Sequence, residues 1–440
     1  MHSPSPEEEK IAAEVSAWVV DRLTYREDTL PARRVRPLPP IGPVGIGAAE
    51  AWGFLHDQVL STAVPTDHPR YLAFVGGAPT VMSVMADMAM SAAAVYAGSS
   101  LEGGAVVEAE GAALRWLARA AGLPASAFGT FVSGGSIANL SALVAARFNR
   151  RRVTGHQPTV IVAGSSAHAS VASAAQIMGC ELITDGDWAG RLDRAAMTRI
   201  LMTTRIADIA AVVATAGATN TGTVDDLAGI SDLCRQHGLW MHVDAAYGGA
   251  ALLSERTRAL FRGIEEADSI TIDPHKWLFT PLDCAAVIYR NPELARSAHT
   301  QVASYLEPVS GDGHDNPSDY AIHLTRRGRG VPLWLSLLAN GTSAYCTAVE
   351  NCLALAAYAV HRIHESGRLE IVGNPALSVV LFRRVGWTQA QYYAWSARAL
   401  SAGLCLVTPT EFDGETVLRF CFVNPLTIDA DIDDILVHIN

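Results

Sequence analysis

Lysine is almost missing from this chain of 440 residues: its 33 basic side chains include two lysines, Lys10 and Lys276, and the rest are arginine. Where only a solvated charge is needed, arginine serves equally well, so the scarcity fits a codon bias toward arginine and alanine. A retained lysine is then informative, because a guanidinium stays charged and cannot shed a proton to attack a carbonyl as an amine can. Lys10 lies in a charged N-terminal stretch, whereas Lys276 follows a β-rich run inside Pro-His-Lys-Trp. Taken alone, Lys276 reads as an ordinary surface charge. Its neighbours argue otherwise.

Basic excess is missing too. A net charge of −11 argues against nucleic acid as the main partner, since phosphate backbones call for a basic face. The run Arg150 to Arg152 reads as the solvated end of a helix. No C-x-x-C spacing occurs among the seven cysteines, and their number is odd, which fits reduced core thiols better than a disulfide or zinc framework. No uncharged apolar run reaches membrane-spanning length, and the acidic start MHSPSPEEEK lacks an apolar signal core. The expectation is a soluble, cytoplasmic protein with no metal site.

With half of its residues hydrophobic, the chain can bury a large core and build two or three domains. Residues 1–65 hold an amphipathic stretch, IAAEVSAWVVDRL, and a proline-rich arm, PARRVRPLPPIGP, that cannot form a core alone and is expected to pack on another subunit. Residues 66–330 form the expected large domain. In it, helical segments alternate with the β-rich runs GTFV, TVIVAG, CELIT, AAVVATAG, WMHVDAAY, SITID and CAAVIYR. That alternation predicts an α/β fold, a mostly parallel seven-stranded sheet covered by helices, with functional residues just past the carboxyl ends of the strands. Residues 331–440 read as linking helices followed by a small α+β domain with a βαβ-like tail.

Four of the runs end in chemically useful residues. After FV comes Ser133-Gly134-Gly135-Ser136 and a helix, a start whose free N–H groups suit a phosphate, though a Ser-capped turn reads the same way. IVAGSSAHASV places His168 at the next helix start, where it is either a capping histidine or a flat ring stacked on a planar cofactor. VVATAGATNTGTVDD offers the hydroxyls of Thr215 and Thr219, in a loop of common composition. WMHVDAAYGG closes an apolar run with Asp244, a carboxylate that needs a cationic or hydrogen-bonding partner such as a protonated pyridine. Lys276 follows Asp244 by 32 residues, room for one helix (LSERTRALFRGIEEA) and one strand, so both fall at the same sheet edge. A phosphate cradle, a stacking imidazole, a buried acid and an amine together describe a pyridoxal 5′-phosphate site, in which Lys276 forms the internal Schiff base.

These motifs resemble the group II pyridoxal-phosphate-dependent amino acid decarboxylases, which include aromatic-L-amino-acid, glutamate and diaminobutyrate decarboxylases. HVDAAYGG and DPHKW are the specific signatures, and the likeness runs from HPRYLAFVGGAP through EAEGAALRWLA to LRFCFVNP. The resemblance implies a type I, aspartate aminotransferase-like fold and a homodimer with shared active sites. By motif match it makes Lys276 the Schiff-base lysine, Asp244 the pyridinium partner, Ala246 a contact of the ring and His168 the stacking imidazole. Gly135, Ser136 and His275 would hold the phosphate, and Thr219 would sit near the lysine and ring. Asp273 stands where some relatives carry Asn. ASYLEP resembles the mobile active-site loop, which makes Tyr305 the residue that protonates the substrate carbon once CO2 has left.

The chain also departs from the family. Gly328 replaces a usual aromatic, and Ile137 a usual acid. Thr66, Val75 and Gly98 stand where aromatic decarboxylases carry bulky pocket residues, while Phe74 and Tyr96 remain aromatic. Tyr96 and Gly98 would come from the partner subunit. The pocket therefore reads as reshaped for an aromatic, bulkier or branched apolar side chain rather than as a cationic cradle, although Arg70 is nearby. The expected reaction is decarboxylation of an L-amino acid to an amine. An oxidative, aldehyde-forming relative is the alternative, disfavoured because Tyr305 and His168 are both present. A catalytically silent binding protein on the same fold is disfavoured because no catalytic position is missing.

Overall fold

The seven β-rich runs form one sheet. The strands are Phe128–Val132 (β1), Val160–Gly164 (β2), Glu181–Asp185 (β3), Ile209–Thr215 (β4), Met241–Asp244 (β5), Ser269–Ile272 (β6) and Ala285–Tyr289 (β7). Their spatial order is β1-β7-β6-β5-β4-β2-β3. Neighbours from β3 through β6 are parallel, and β7 runs antiparallel to both β1 and β6. This computed structural model describes residues 3–24, 30, 37–307 and 316–439. Part of the proline-rich arm, most of EPVSGDGHDNPSD and the side chain of Tyr305 lie outside the described residues.

Alternation along each strand divides the core in two. Ile161, Ala163, Ala211, Val213, Ala285 and Val287 pack with Ala138, Leu143 and Ala146 of helix Gly135–Thr154 and with Val171 of helix Ala169–Met178. Val160, Val162, Val212, Ala214, Ala286 and Ile288 pack with Leu114 and Leu117 of helix Ala105–Ala120 and with Ile230 and Leu233 of helix Leu227–His237. Strands covered on both faces have no polar side to present, which is why β2 and β4 are buried at every position and carry no polar side chain before Thr215 at the end of β4.

Two sequence expectations need correction. LSERTRALFRGIEEA is not an α-helix; it forms short 3₁₀ turns at Arg258–Phe261 and Ile264–Glu266. Thr257 Oγ1 donates to the carbonyls of Ala251 and Ser254, and Gly263 takes φ 99°, so local side-chain bonds and a left-handed residue displace the helical ladder. The C-terminal tail is a four-stranded antiparallel sheet, not a simple βαβ unit. Its strands are Leu369–Val372 (β8), Val379–Arg384 (β9), Thr408–Phe412 (β10) and Glu415–Cys421 (β11), ordered β10-β11-β9-β8. Helix Gln389–Ser401 does cross from β9 to β10. The chain then reverses at Asp413-Gly414, both at positive φ, and β11 slots between those strands. An Asp-Gly pair between β-prone runs is a hairpin signal that the sequence did display.

Helix Pro6–Thr24 forms as expected but buries no residue. Trp18 meets Trp52 edge-on, and Arg22 pairs with Asp67 at 2.6 Å. None of the seven cysteines is bridged. Among the described residues no helix is long and apolar enough to cross a membrane. No cluster of His, Cys, Asp or Glu among them is arranged to hold a metal ion.

Candidate active site

The carboxyl ends of β1, β2, β4, β5 and β6 surround one cavity of about 300 Å³. Gly135 and Ser136 enter it at the start of helix Gly135–Thr154, and His168 at the N-cap of helix Ala169–Met178. Thr219 follows β4, Asp244 ends β5 and Ala246 follows it, while Asp273, His275 and Lys276 follow β6. Nine residues singled out from sequence thus converge, because each lies just past a strand end of a parallel sheet. A cavity of about 440 Å³ at the opposite sheet edge, beside Arg150, Arg235 and Asp268, contains none of them.

Lys276 Nζ lies 3.0 Å from Asp273 Oδ2, and the Lys276 side chain is one-fifth exposed. Burial pushes the amine's pKa down, but the charges of Asp273 and Asp244 outweigh it and hold the group above the ordinary lysine range, as an ammonium. Asp273 Oδ2 also accepts from the Gly135 N–H at 3.2 Å. The His275 imidazole is pushed down by burial, and its Nδ1–H donates to the Cys284 carbonyl at 2.6 Å. Asp244 is buried and accepts from Ala246 N at 3.1 Å and Asn139 Nδ2 at 2.8 Å.

The amine must shed its proton before it can attack a carbonyl, so the ion pair sets a pH dependence. Condensation of the cofactor-free protein with pyridoxal 5′-phosphate should speed up as pH rises toward the elevated pKa of Lys276. In Asp273→Asn the chief raising charge is gone, and the rate profile, followed by stopped-flow absorbance, should move to lower pH. An unmoved profile would show that Asp273 does not control the amine.

Thr215 lines the cavity as well, whereas Thr66, Phe74, Val75, Tyr96 and Gly98 do not. Thr66 Oγ1 donates to the Gly77 carbonyl at 3.1 Å. Phe74 is 59% exposed, and its carbonyl accepts from Arg419 Nη1 at 2.8 Å while Arg419 Nη2 holds the Thr219 carbonyl at 2.6 Å. Val75 packs against the main core. Tyr96 lines a separate cavity of about 480 Å³ with Leu306 and Leu324, and its hydroxyl donates to the Leu324 carbonyl. A Cβ on Gly98 would come within 2.3 Å of that hydroxyl, so only glycine leaves Tyr96 in place. Gly328 does not enlarge a pocket: Val106 and Met90 already reach within 2.7 and 3.1 Å of where its Cβ would stand. Arg70 is tied to Asp431 at 2.8 Å and Asp434 at 2.6 Å.

Sequence reasoning passed over Gly77, Asn139, Ser170 and His242. A Cβ on Gly77 would lie 2.3 Å from the His275 carbonyl oxygen and 2.4 Å from that of Lys276. The segment strapped over the lysine loop therefore requires glycine there. Gly77→Ala should displace Lys276 and lower kcat/KM by roughly 100-fold, the scale of an ångström-sized misplacement, with the fold retained by circular dichroism. Wild-type kinetics in this variant would dismiss the strap as a positioning element. His242 carried a weaker signal, a histidine inside the largely apolar run WMHVDAAY, whereas Asn139 is one of several polar residues of its helix.

Cofactor fit can be tested on this chain. Two buried polar atoms of residues that line the cavity, Thr215 Oγ1 and Asp273 Oδ1, have no hydrogen-bond partner, and such atoms in a native interior call for one. Gly134 leaves its surroundings open, so the amides at the helix start can approach an anion. An amine, a carboxylate and an anion cradle in one cavity fit a phosphorylated pyridine aldehyde. Fold and site together define an enzyme of the pyridoxal-phosphate class.

The pyridoxal-dependent decarboxylase conserved domain matches residues 55–385. Aromatic-L-amino-acid decarboxylase of Bacillus atrophaeus is 31% identical over 412 residues, covering 90% of this chain and 85% of that protein. L-2,4-diaminobutyrate decarboxylase of Rhizobium meliloti (strain 1021) is 31% identical over 408 residues, covering 88% and 80%. Catharanthus roseus tryptophan decarboxylase, solved with L-tryptophan, superposes with a TM-score of 0.89 at 21% identity, over 100% of this chain and 98% of that one. The chain belongs to the pyridoxal-dependent decarboxylase family. It is a pyridoxal 5′-phosphate-dependent amino acid decarboxylase.

Proposed function

We propose that the protein decarboxylates an L-amino acid with an aromatic or bulky apolar side chain, releasing the amine and CO2. The observation that carries this reading is the convergence of Lys276, Asp244 and His168 on one cavity. The side-chain preference is supported by the commitment of nearby cations elsewhere: Arg70 to two aspartates, Arg419 to backbone carbonyls and Lys276 to Asp273. An acidic side chain would find none of these cations free. Likeness to the Bacillus aromatic decarboxylase points the same way.

Bound pyridoxal 5′-phosphate supplies a carbonyl for amines and a ring that takes up the electron pair left behind by CO2. Lys276 would hold the cofactor through its amine and would lie beside the reacting carbon of the bound substrate. Asp244 keeps a proton on the ring nitrogen, without which the electron sink weakens. His168 would stack on the ring and Ala246 would lie against it, while Gly135, Ser136 and His275 would bind phosphate oxygens and Thr219 would sit near the lysine and ring. Tyr305 would deliver the proton that replaces CO2, a role resting on the ASYLEP resemblance.

The functional unit in this reading is a cytoplasmic homodimer. Support comes from exposed apolar side chains such as Val81 and Leu101, from a helix Pro6–Thr24 that buries nothing in its own protomer, and from unbridged cysteines. Tyr96 and Gly98, remote from their own cavity, would then complete the partner's.

Mass spectrometry of products from the pyridoxal-phosphate-loaded protein, offered aromatic, branched aliphatic, basic and acidic L-amino acids separately in air, tests the proposal. Amine from the aromatic or branched class supports it. Amine from an acidic or basic substrate refutes the preference, and aldehyde with peroxide would assign the oxidative reaction instead.

A further inference from the structure

Beneath the cavity lies a hydrogen-bonded chain whose direction is set by its ends. Trp240 Nε1 donates to Ser269 Oγ at 2.9 Å, and Ser269 Oγ lies 2.8 Å from His242 Nδ1. His242 Nε2 lies 3.0 Å from Asn139 Oδ1, and Asn139 Nδ2 lies 2.8 Å from Asp244 Oδ2. An indole N–H only donates and a carboxylate only accepts. Asn139 must therefore turn its NH2 toward Asp244 and its carbonyl toward His242. That obliges His242 to carry its proton on Nε2 and to accept from Ser269 on Nδ1. His242 is fully buried, and burial pushes its imidazole down to about 4, which keeps it neutral.

The same amide has a second arm. Asn139 Nδ2 reaches Ser170 Oγ at 3.0 Å, and the Ser170 hydroxyl lies 2.9 Å from His168 Nδ1. With one N–H on Asp244 and the other on Ser170, the Asn139 amino group is fully used. Local structure explains the meeting: His242 and Asp244 are two residues apart on β5 and share a face, and helix Gly135–Thr154 crosses that face with Asn139 buried in its first turns. An amide donates to the carboxylate from its nitrogen and accepts from the imidazole on its oxygen, so it spans the two neighbours with separate atoms. An aspartate here would set a second negative charge against Asp244, and a leucine would take away the partner that Asn139 gives to Asp244 Oδ2 and to His242 Nε2.

We propose that Asn139 is a positioning residue that, oriented by His242, holds the Asp244 carboxylate in place as the acceptor for the cofactor's ring nitrogen and, through Ser170, sets the tilt of His168 over the same ring. This rests on the reading of Asp244 as the ring-nitrogen partner. Asn139 is at the cavity wall and His242 lies behind it; both act through Asp244 and His168.

The test is the 15N chemical shift of the ring nitrogen in protein loaded with 15N-labelled pyridoxal 5′-phosphate, together with cofactor affinity. Asp244→Asn should move the shift from the protonated toward the unprotonated position. Asn139→Leu and His242→Phe should move it part of the way and weaken cofactor binding about tenfold, the cost of losing one hydrogen bond to a charged group. His242→Gln, whose amide N–H stands in for Nε2–H, should restore the parent shift and affinity. Should Asn139→Leu not fold, the two His242 variants decide. A parent-like shift in Asn139→Leu and His242→Phe, with or without weaker binding, overturns the proposal provided that Asp244→Asn moves it. No movement in Asp244→Asn overturns the underlying reading of Asp244, and this inference with it.

Discussion

Replacing Lys276 with alanine should abolish the visible absorbance of covalently attached cofactor and lower turnover by at least about 10³-fold, because no other amine lines the cavity. Lys10, the chain's other lysine, sits on an exposed helix beside Glu14, and Lys10→Ala should be silent in both measurements. Arginine at position 276 would fail as alanine does, since it retains the charge but cannot lose the proton. Absorbance spectra and single-turnover kinetics of the three variants check this, and a Lys276→Ala protein that kept imine absorbance would refute the assignment. Its ion pair with Asp273 means that this amine is stored as an ammonium until the cofactor arrives.

The largest stability effect should come from Glu110→Ala. Glu110 and Arg326 form a buried bidentate pair, with Nη1–Oε2 2.6 Å and Nη2–Oε1 2.7 Å. The Gly330 N–H donates to Glu110 at 2.8 Å, and Arg326 donates to the carbonyls of Ala97 and Phe131. Removing the acid leaves a guanidinium without its counter-charge in the core, at a cost of about 3–5 kcal/mol. Denaturant midpoints at fixed protein concentration measure it, and a loss below about 1 kcal/mol would mean that water or a shifted carbonyl network compensates. The pair ties the segment carrying Tyr96 and Gly98 to β1 and to the start of helix Val331–Asn340, so the same variant should also loosen the surface proposed to serve the partner's site.

Much of the site was legible because strand ends in a parallel sheet are functional by construction. Asp244, His168 and Lys276 each follow an apolar run, and a reader of periodicity can locate such runs without coordinates. Asp273 was visible as a residue, but its grip on the lysine was not, since a carboxylate three residues away faces the amine only when the turn after β6 brings it round. Gly328, noted in the sequence as a departure from a usual aromatic, opens no space for a related reason. A missing side chain signals space only if neighbours leave it empty, and Val106 and Met90 do not.

By itself the sequence determined the class of fold, the seven strands, the cofactor chemistry and nine residues of the cavity, because all of these follow from local pattern and from residue types that tolerate no substitute. The tertiary structure alone decided which way the Asn139 amide points, that Arg70 is already spent on two aspartates, that Gly77 must be glycine and that the small sheet is antiparallel. Each of these depends on contacts between segments far apart in the chain, and periodicity within a segment carries no record of the partner it will meet.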